Sequence, residues 1–484
     1  MTRSPRWPCL LALLWGGGTA RASEPSWVQS YTVPPTSGPP AEGCATTVSS
    51  RAPSTPTTAA TGGTTPPAPA PESMLPYDTT PGALNPQLPD PLRVALQLGR
   101  PYDLASVPLE PLQGNATDIA RVRDVIRAAG EAPRTGRTVR VAAWGASHVA
   151  GEFLTGELRR RLQDRGGDGG HGFVMPAAPW KGYRASDVNL CTRGAWASDY
   201  DGRDGGHDDG RLGPMGISVE ASTPASSGWV QTTTSNTHGR SVSRFEVLFL
   251  RQPNGGSVDL VVDGAPAVRV ETAADTTGPG AAVLHVADGP HRLTVTPAGD
   301  GPVRLFGVQM ERDAPGVVVD AAGVVGKTMS SWLRWDEALQ GAFLSRHPPD
   351  LAILAYGTNE ANDRHLTPDR YRDELRTTLA RMRRVLPASA CLLVGPSDRG
   401  KKVSGTSYVI WSRTEWVARV QREVAPEFGC ASWDLQGASG GPGSIFRWRE
   451  QIPPLAAADL LHFSAEGYRE LARRLLAAME PAGG

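Results

Sequence analysis

Two short runs constrain the fold most. "DLAILAY" at 350–356 and "ACLLVG" at 390–395 are apolar at almost every position. A strand with one face in water alternates polar and apolar side chains, so an unbroken run is expected of a strand buried on both faces. Such strands belong to parallel sheets whose connections are helices, and the flanking sequence supplies them. A helix over 118–129 shows a face of Ile119, Val122, Val125 and Ile126 and ends at Gly130. A strand at 139–144 precedes a helix at 152–165 carrying Phe153, Leu154, Leu158 and Leu162. Thr367 and Pro368 form a cap and first turn for a helix running to about Leu386. A helix at 411–425, a strand from Cys430 to Leu435 and a last helix capped by Ser464 complete the pattern. Strands alternating with helices predict an α/β fold, a doubly wound parallel sheet.

The middle of the chain reads differently. Between 228 and 311 lie seven short, Val-rich, roughly alternating runs, among them "SRFEVLFLR", "SVDLVVDG" and "HRLTVTPA", separated by Gly, Pro, Asp and Asn. That is the pattern of an all-β sandwich. The α/β pattern resumes near Val317. The expected organisation is therefore an inserted β-sandwich domain, 185–311, splitting an α/β domain into 86–184 and 312–484. A chain of 484 residues is long enough for both cores.

The first 85 residues contribute neither. Arg3 and Arg6, the short apolar run Cys9–Trp15 and Ala20-Arg21-Ala22 before Ser23 have the form of a signal peptide over 1–22. The run is far short of the ~20 apolar residues that span a bilayer. No later segment is long and apolar enough, so no membrane span is expected in the mature chain. Residues 49–71 contain no Val, Ile, Leu, Met or aromatic residue. Such a segment cannot offset its chain entropy by burial, and a disordered Pro/Thr-rich linker is expected over 23–85.

Charge and cysteine usage narrow the partners. Lys plus Arg and Asp plus Glu are each 49, which argues against nucleic acid or another polyanion. After loss of Cys9, four cysteines remain for an oxidising compartment: Cys44, Cys191, Cys391 and Cys430. None is in C-x-x-C spacing, and the nine histidines form no H-E-x-x-H and no i, i+4 pair, so no metal or other cofactor is expected. Cys44 lies in the linker. Cys391 and Cys430 each begin a predicted strand, and successive strands of such a sheet often lie side by side, which makes them the preferred disulfide pair.

Chemistry is read at the ends of the strands, where open α/β sheets bind ligands. "AAWGASH" places Ser147 where a strand ends and a helix begins, so a hydroxyl nucleophile there would have backbone N–H groups beside it. It is not the G-x-S-x-G elbow, because position 149 is Val. "GTNE" places Asn359 after the buried strand at 350–356. "DLLH" places Asp459 three residues before His462, so the carboxylate can fold back onto Nδ1 and leave Nε2 free to take a serine proton. A lone serine in this position more often just caps a helix. The three strand ends together favour the nucleophile.

These blocks resemble the SGNH hydrolases, or GDSL esterases, which carry Ser, Gly, Asn and His in four separated blocks. "WGASH" matches the first, "AAGVVGKTMSSWLRW" the second, "AYGTNE" the third and "DLLHFSAEGY" the last. The resemblance spans roughly 110–184 and 312–480 and implies a flavodoxin-like fold. It implies catalytic Ser147, His462 and Asp459, with an oxyanion hole from the Ser147 and Gly326 N–H groups and the Asn359 side chain; Gly323 competes with Gly326. The family usually has Asp where this chain has Ala146. "GGDGGHGFV", "PWKGYR" and "GGPGS" resemble secreted bacterial members that act on acetylated cell-wall polysaccharide, including peptidoglycan O-acetylesterases with an inserted β-sandwich. The implied function is a secreted or periplasmic serine esterase whose partner is an O-acetylated polysaccharide. The same residues would serve an O-acetyltransferase, or survive in a non-catalytic binder. Oligomeric state is not indicated.

Some residues keep two readings. His148, Trp180, Gly440 and Gly441 are candidate substrate-binding residues, and Trp196 and Trp448 could stack on sugar rings. His148 could equally be structural, and buried packing is the commoner fate of Trp. "DYDGRDGGHDDG" at 199–210 lacks EF-hand spacing and reads as a solvated loop. Asn115 is expected to cap the first helix.

Overall fold

The computed structural model describes residues 24–39, 74–78, 103–200, 206–404 and 407–480. The expected signal peptide over 1–22, the segment 49–71 and Cys44 lie outside the described residues.

A five-stranded parallel sheet forms the α/β half. Its strands are β1 (Thr138–Gly145), β2 (Gly316–Gly323), β3 (Leu351–Ala355), β4 (Ala390–Val394) and β5 (Cys430–Trp433), in the spatial order β2-β1-β3-β4-β5. That is the flavodoxin-like order, with its switch point at β1 and β3. Side chains alternate between two cores. Val139, Val141 and Ala143 of β1 and Leu351 and Ile353 of β3 face one core, with Val122 and Ile126 of helix α1 (Ala116–Thr135), Leu154, Leu158 and Leu162 of α2 (Phe153–Gly166), and Leu471 and Leu475 of the C-terminal helix, Ala465–Met479. Ala142, Trp144, Ala352 and Leu354 face the other, with α3 (Pro368–Val385) and α4 (Arg413–Val424). Burial on both faces is the reason these strands read as unbroken apolar runs.

The second core is shared with the β-sandwich. Phe245, Val247, Val308 and Met310 of the inserted sheet belong to the same buried cluster as Trp144 and Leu354. The β half has a five-stranded sheet built wholly from the insert and a seven-stranded sheet, five of whose strands come from the insert. Gly172–Val174, upstream of the expected boundary at 185, pairs antiparallel with Val303–Glu311 of the larger sheet.

A buried ion network joins the two halves. Arg140 of β1 meets Glu311 bidentately, and Arg244 bonds both Glu311 and Glu246. Glu246 also accepts from Arg346 at 2.7 Å and pairs with the His347 ring at 2.9 Å. Burial pushes the Glu311 carboxyl up, but Arg140 and Arg244 outweigh it and hold it down at about 2.

Three expectations change. The linker assigned to 23–85 carries structure at its flanks: Val28–Thr32 is a strand parallel to Gly278–Gly289, and Met74–Asp78 pairs with Ser407–Trp411. The apolar desert covers only 49–71, whereas Trp27, Val28 and Tyr31 lie outside it, and Trp27 packs edge-on against Phe343. Helix α1 runs through Gly130 to Thr135, because a mid-helix glycine costs only about 1 kcal/mol and the left-handed stop is Gly136, φ +67°. The acidic run expected to be a solvated loop is anchored at its described residues, since Asp199 and Asp209 both bond the buried guanidinium of Arg304.

Candidate active site

β1 ends on Gly145, and the position is glycine because no side chain fits there: a Cβ would lie 2.4 Å from Val149 and 2.7 Å from the Ala355 carbonyl. Ser147 opens a single helical turn, Ser147–Ala150, whose Val149 and Ala150 N–H groups donate to the Ala146 carbonyl. Ala146 has no side-chain cap to offer. Gly323, at the end of the neighbouring β2, is packed beneath this turn, where a Cβ would fall 2.0 Å from the Ala150 nitrogen.

Asp459 and His462 sit on a tight turn before the last helix, which Ser464 caps by accepting from Gly467 N–H. Leu460 takes φ +55°, folding the turn back. Asp459 Oδ1 accepts from the Leu461 and His462 amides at 3.1 and 3.0 Å, and Oδ2 bonds His462 Nδ1 at 2.7 Å. His462 Nε2 lies 2.7 Å from Ser147 Oγ. Burial pushes the Asp459 carboxyl up, yet the hydrogen bonds from the His462 ring and the two amides win and hold it below its ordinary value. A carboxylate, imidazole and hydroxyl in line can move the serine proton to Nε2 and stabilise the resulting imidazolium.

Asn359 meets the loop that carries Gly326. Asn359 Nδ2 donates to the Lys327 carbonyl at 2.8 Å, so the amide lies against the residue that follows Gly326. Gly326 has φ +78° and open space where a Cβ would be, in contrast to Gly323. The left-handed backbone is the reason for glycine here. Glu360 fastens the two loops. Its buried carboxylate accepts from Met329 N–H at 2.8 Å and Gly357 N–H at 2.9 Å. Burial pushes it up to about 7 against those bonds. The sequence pattern assigns Glu360 no role; a carboxylate shortly after a buried strand is the available signal.

His148 is buried. Its Nδ1 bonds Tyr468 Oη at 2.8 Å and its Nε2 bonds Ser397 Oγ at 2.9 Å. Burial, with the His462 ring beside it, pushes it down to about 3. Of its two readings, the geometry supports the structural one. Trp180 is half-buried and packs edge-on against Tyr183 and Tyr200, and the Tyr200 ring carries the Lys327 ammonium at 5.7 Å. Gly440 and Gly441 take φ +108° and +81° in a turn whose N–H groups donate to Gly437 and Gln436 carbonyls. Trp448 is fully buried, donates to the Ser439 carbonyl and packs on Phe463, so it is not a sugar platform. The Trp196 indole donates to the Arg193 carbonyl. Asn115 stands at the helix cap position with no side-chain cap bond. A disulfide joins Cys391 and Cys430, register partners on β4 and β5. Cys191, another of the four cysteines expected to remain, is disulfide-bonded too. Among the described residues no cluster of His, Cys, Asp and Glu could hold a metal, and no helix is long and apolar enough to cross a membrane.

The model of the GDSL-like lipase/acylhydrolase family matches residues 278–470. That span includes Gly326, Asn359, Asp459 and His462 and leaves out Ser147. A solved structure of a peptidoglycan O-acetylesterase in action is 30% identical, at a TM-score of 0.60; the match covers 76% of this chain and 97% of that one. The chain belongs to the GDSL-like, or SGNH, hydrolase family. It is an esterase. This SGNH hydrolase is more distantly similar to a family two carbohydrate esterase from Clostridium thermocellum in complex with cellohexaose, at 13% identity and a TM-score of 0.25, covering 58% of this chain and 97% of that one. It is also similar to the acetyl xylan esterase AlAXEase, at 18% identity and a TM-score of 0.25, covering 34% and 80%. No curated protein matches the chain.

Proposed function

We propose that this SGNH hydrolase is an exported O-acetylesterase that deacetylates a peptidoglycan-like cell-wall polysaccharide through an acyl-enzyme on Ser147. The observation that carries the reading is the hydrogen-bonded line Asp459–His462–Ser147, with 2.7 Å at each step. The similarity to a peptidoglycan O-acetylesterase supports the choice of substrate. The disulfides and the signal-like N-terminus support export.

In the proposed mechanism His462 Nε2 takes the Ser147 proton as Oγ attacks the acetyl carbonyl. Asp459 holds the Nδ1–H tautomer and stabilises the imidazolium. The carbonyl oxygen gains charge as the tetrahedral intermediate forms, and N–H groups of Ser147, Gly326 and Asn359 receive it. His462 returns the proton to the sugar oxygen, which leaves as a hydroxyl. Water, deprotonated by the same ring, then attacks the acetyl-Ser147 ester; the bond from Oγ to the acyl carbon breaks, the ring returns the proton to Ser147 Oγ, and acetate departs. The test is acetate release from O-acetylated peptidoglycan, xylan and alginate side by side, with Ser147→Ala as control. Loss of the nucleophile should lower the rate by roughly 10⁶-fold. Wild-type rates in Ser147→Ala would exclude this mechanism; transfer of the acetyl group to an oligosaccharide without acetate would make it a transferase.

A further inference from the structure

The segment 397–401 runs along the rim of the Ser–His–Asp line and is held at successive residues. Ser397 Oγ bonds His148 Nε2 at 2.9 Å and reaches the Leu461 carbonyl at 3.4 Å. Asp398, fully buried, accepts from Gln436 Nε2 at 2.8 Å and Ile445 N–H at 2.9 Å. The Arg399 carbonyl accepts from Trp411 N–H, and Gly400 N–H donates to the Leu460 carbonyl, both at 2.9 Å. Position 400 is glycine because a Cβ would lie 2.5 Å from the Phe446 ring. This clamp fixes Arg399 next to the turn that carries Asp459 and His462.

The side chains gathered there are cationic. The Arg399 guanidinium lies 5.3 Å from the Trp411 ring centroid, and the Lys401 ammonium 5.4 Å from the same ring. Trp411 is itself fixed, since its buried indole donates to the Ala361 carbonyl at 2.6 Å. Arg399 donates to Asn362 Oδ1 at 3.0 Å, which ties it to the segment just after Asn359. Among the described residues neither cation forms an ion pair with a carboxylate. Asp459 feels the Arg399 charge, but its oxygens are taken by His462 and two amides. Two cations held on one indole, one of them half-buried, are poorly solvated and repel each other. An anion bridging them would relieve both effects, and a guanidinium with unused N–H groups suits a carboxylate.

We infer that Arg399 and Lys401, held on Trp411 beside the Asp459–His462 turn, bind a carboxylate of the substrate, so that the glycan deacetylated at Ser147 is an acidic one. This rests on the esterase reading above and narrows its substrate class. The carboxylate could sit on the sugar or on a peptide attached to it.

Three O-acetylated glycan fragments separate the cases: one with a sugar-borne carboxylate and no peptide, one with carboxylates only on an attached peptide, and one with every carboxyl converted to carboxamide. The wild-type enzyme should prefer one of the charged fragments over the carboxamide in kcat/KM by roughly tenfold or more, as one charge-assisted hydrogen bond provides. Arg399→Gln and Lys401→Gln should each shrink that preference, and added salt should shrink it in the wild type. The lysine variant breaks no hydrogen bond described above, so it tests the site without disturbing Asn362. Affinities of the Ser147→Ala protein for the same fragments, by calorimetry, should show the same order without turnover. Equal kcat/KM and equal affinity across the three fragments, or a preference unchanged in both variants, overturns the inference. A wild-type protein that deacetylates none of the fragments while Ser147→Ala still discriminates among them overturns the esterase reading and leaves the acidic ligand standing.

Discussion

At the residue scale, the groups around Ser147 divide into those proposed to touch the reacting acetyl and those that hold them. Asn359→Ala should lower kcat by about 10²–10³-fold, the usual loss for one oxyanion donor. An unchanged kcat on a small chromogenic acetate would remove Asn359 from the oxyanion hole. Glu360 holds. Its carboxyl stands at about 7 when folded, above the ordinary 4.5, so the native state binds its proton more tightly than the unfolded chain does. The stability it contributes is fully present below about pH 4.5 and is lost as pH rises through about 7, on the order of 3 kcal/mol in all. Glu360→Gln cannot ionise, so its thermal midpoint should fall less than the wild-type midpoint between pH 5 and 8. Parallel curves for the two proteins would refute this. His148 has the opposite sign. Held down at about 3, it must be neutral in the fold, and protonation below its ordinary range favours unfolding. His148→Ala would strand the Tyr468 and Ser397 hydroxyls, each at a loss of about 1–3 kcal/mol. It should lower both stability and turnover, since Ser147 is its neighbour.

At the element scale, β4 and β5 are joined covalently as well as by hydrogen bonds. The Cys391–Cys430 bridge closes a loop with a sequence separation of 39. Loop-closure entropy for such a bridge corresponds to about 4 kcal/mol. Replacing both cysteines by alanine should lower the denaturation midpoint accordingly, and thiol titration of the non-reduced wild type should find neither thiol free. The strands themselves were readable because burial on both faces leaves an apolar record. The helix ends were less so. Gly130 has the composition of a stop, but Ala129 and Ala132 bury on either side of it and the helix continues.

At the scale of the whole molecule, the insert is part of the catalytic core. Phe245 and Val247 share a buried cluster with Trp144 and Leu354, and Arg140 of β1 is paired to Glu311 of the insert. Replacing 190–308 with a short loop should therefore give an insoluble or unfolded chain, where a separate decoration would leave a soluble esterase. A milder probe is Glu246→Gln, which leaves Arg244, Arg346 and His347 facing a neutral group. Removing one partner of such a buried network destabilises by about 3–5 kcal/mol. A denaturant midpoint equal to wild type would show the network to be energetically idle.

The sequence by itself determined the layer order and the blocks of the site. Buried parallel strands, amphipathic helices, a serine and an asparagine just after strand ends, and an aspartate–histidine turn ahead of the last helix are local patterns, and local sterics and burial write them into neighbouring residues. What it did not contain was how distant segments close on one another. Glu360 reaching Met329, His148 bridging Ser397 and Tyr468, and residues 28–32 adding a strand to a sheet some 250 residues away join groups with no shared period or spacing. Only the tertiary structure decided them, because a buried hydrogen bond or a sheet edge selects its partner by position in space, and chain distance leaves no mark on that choice.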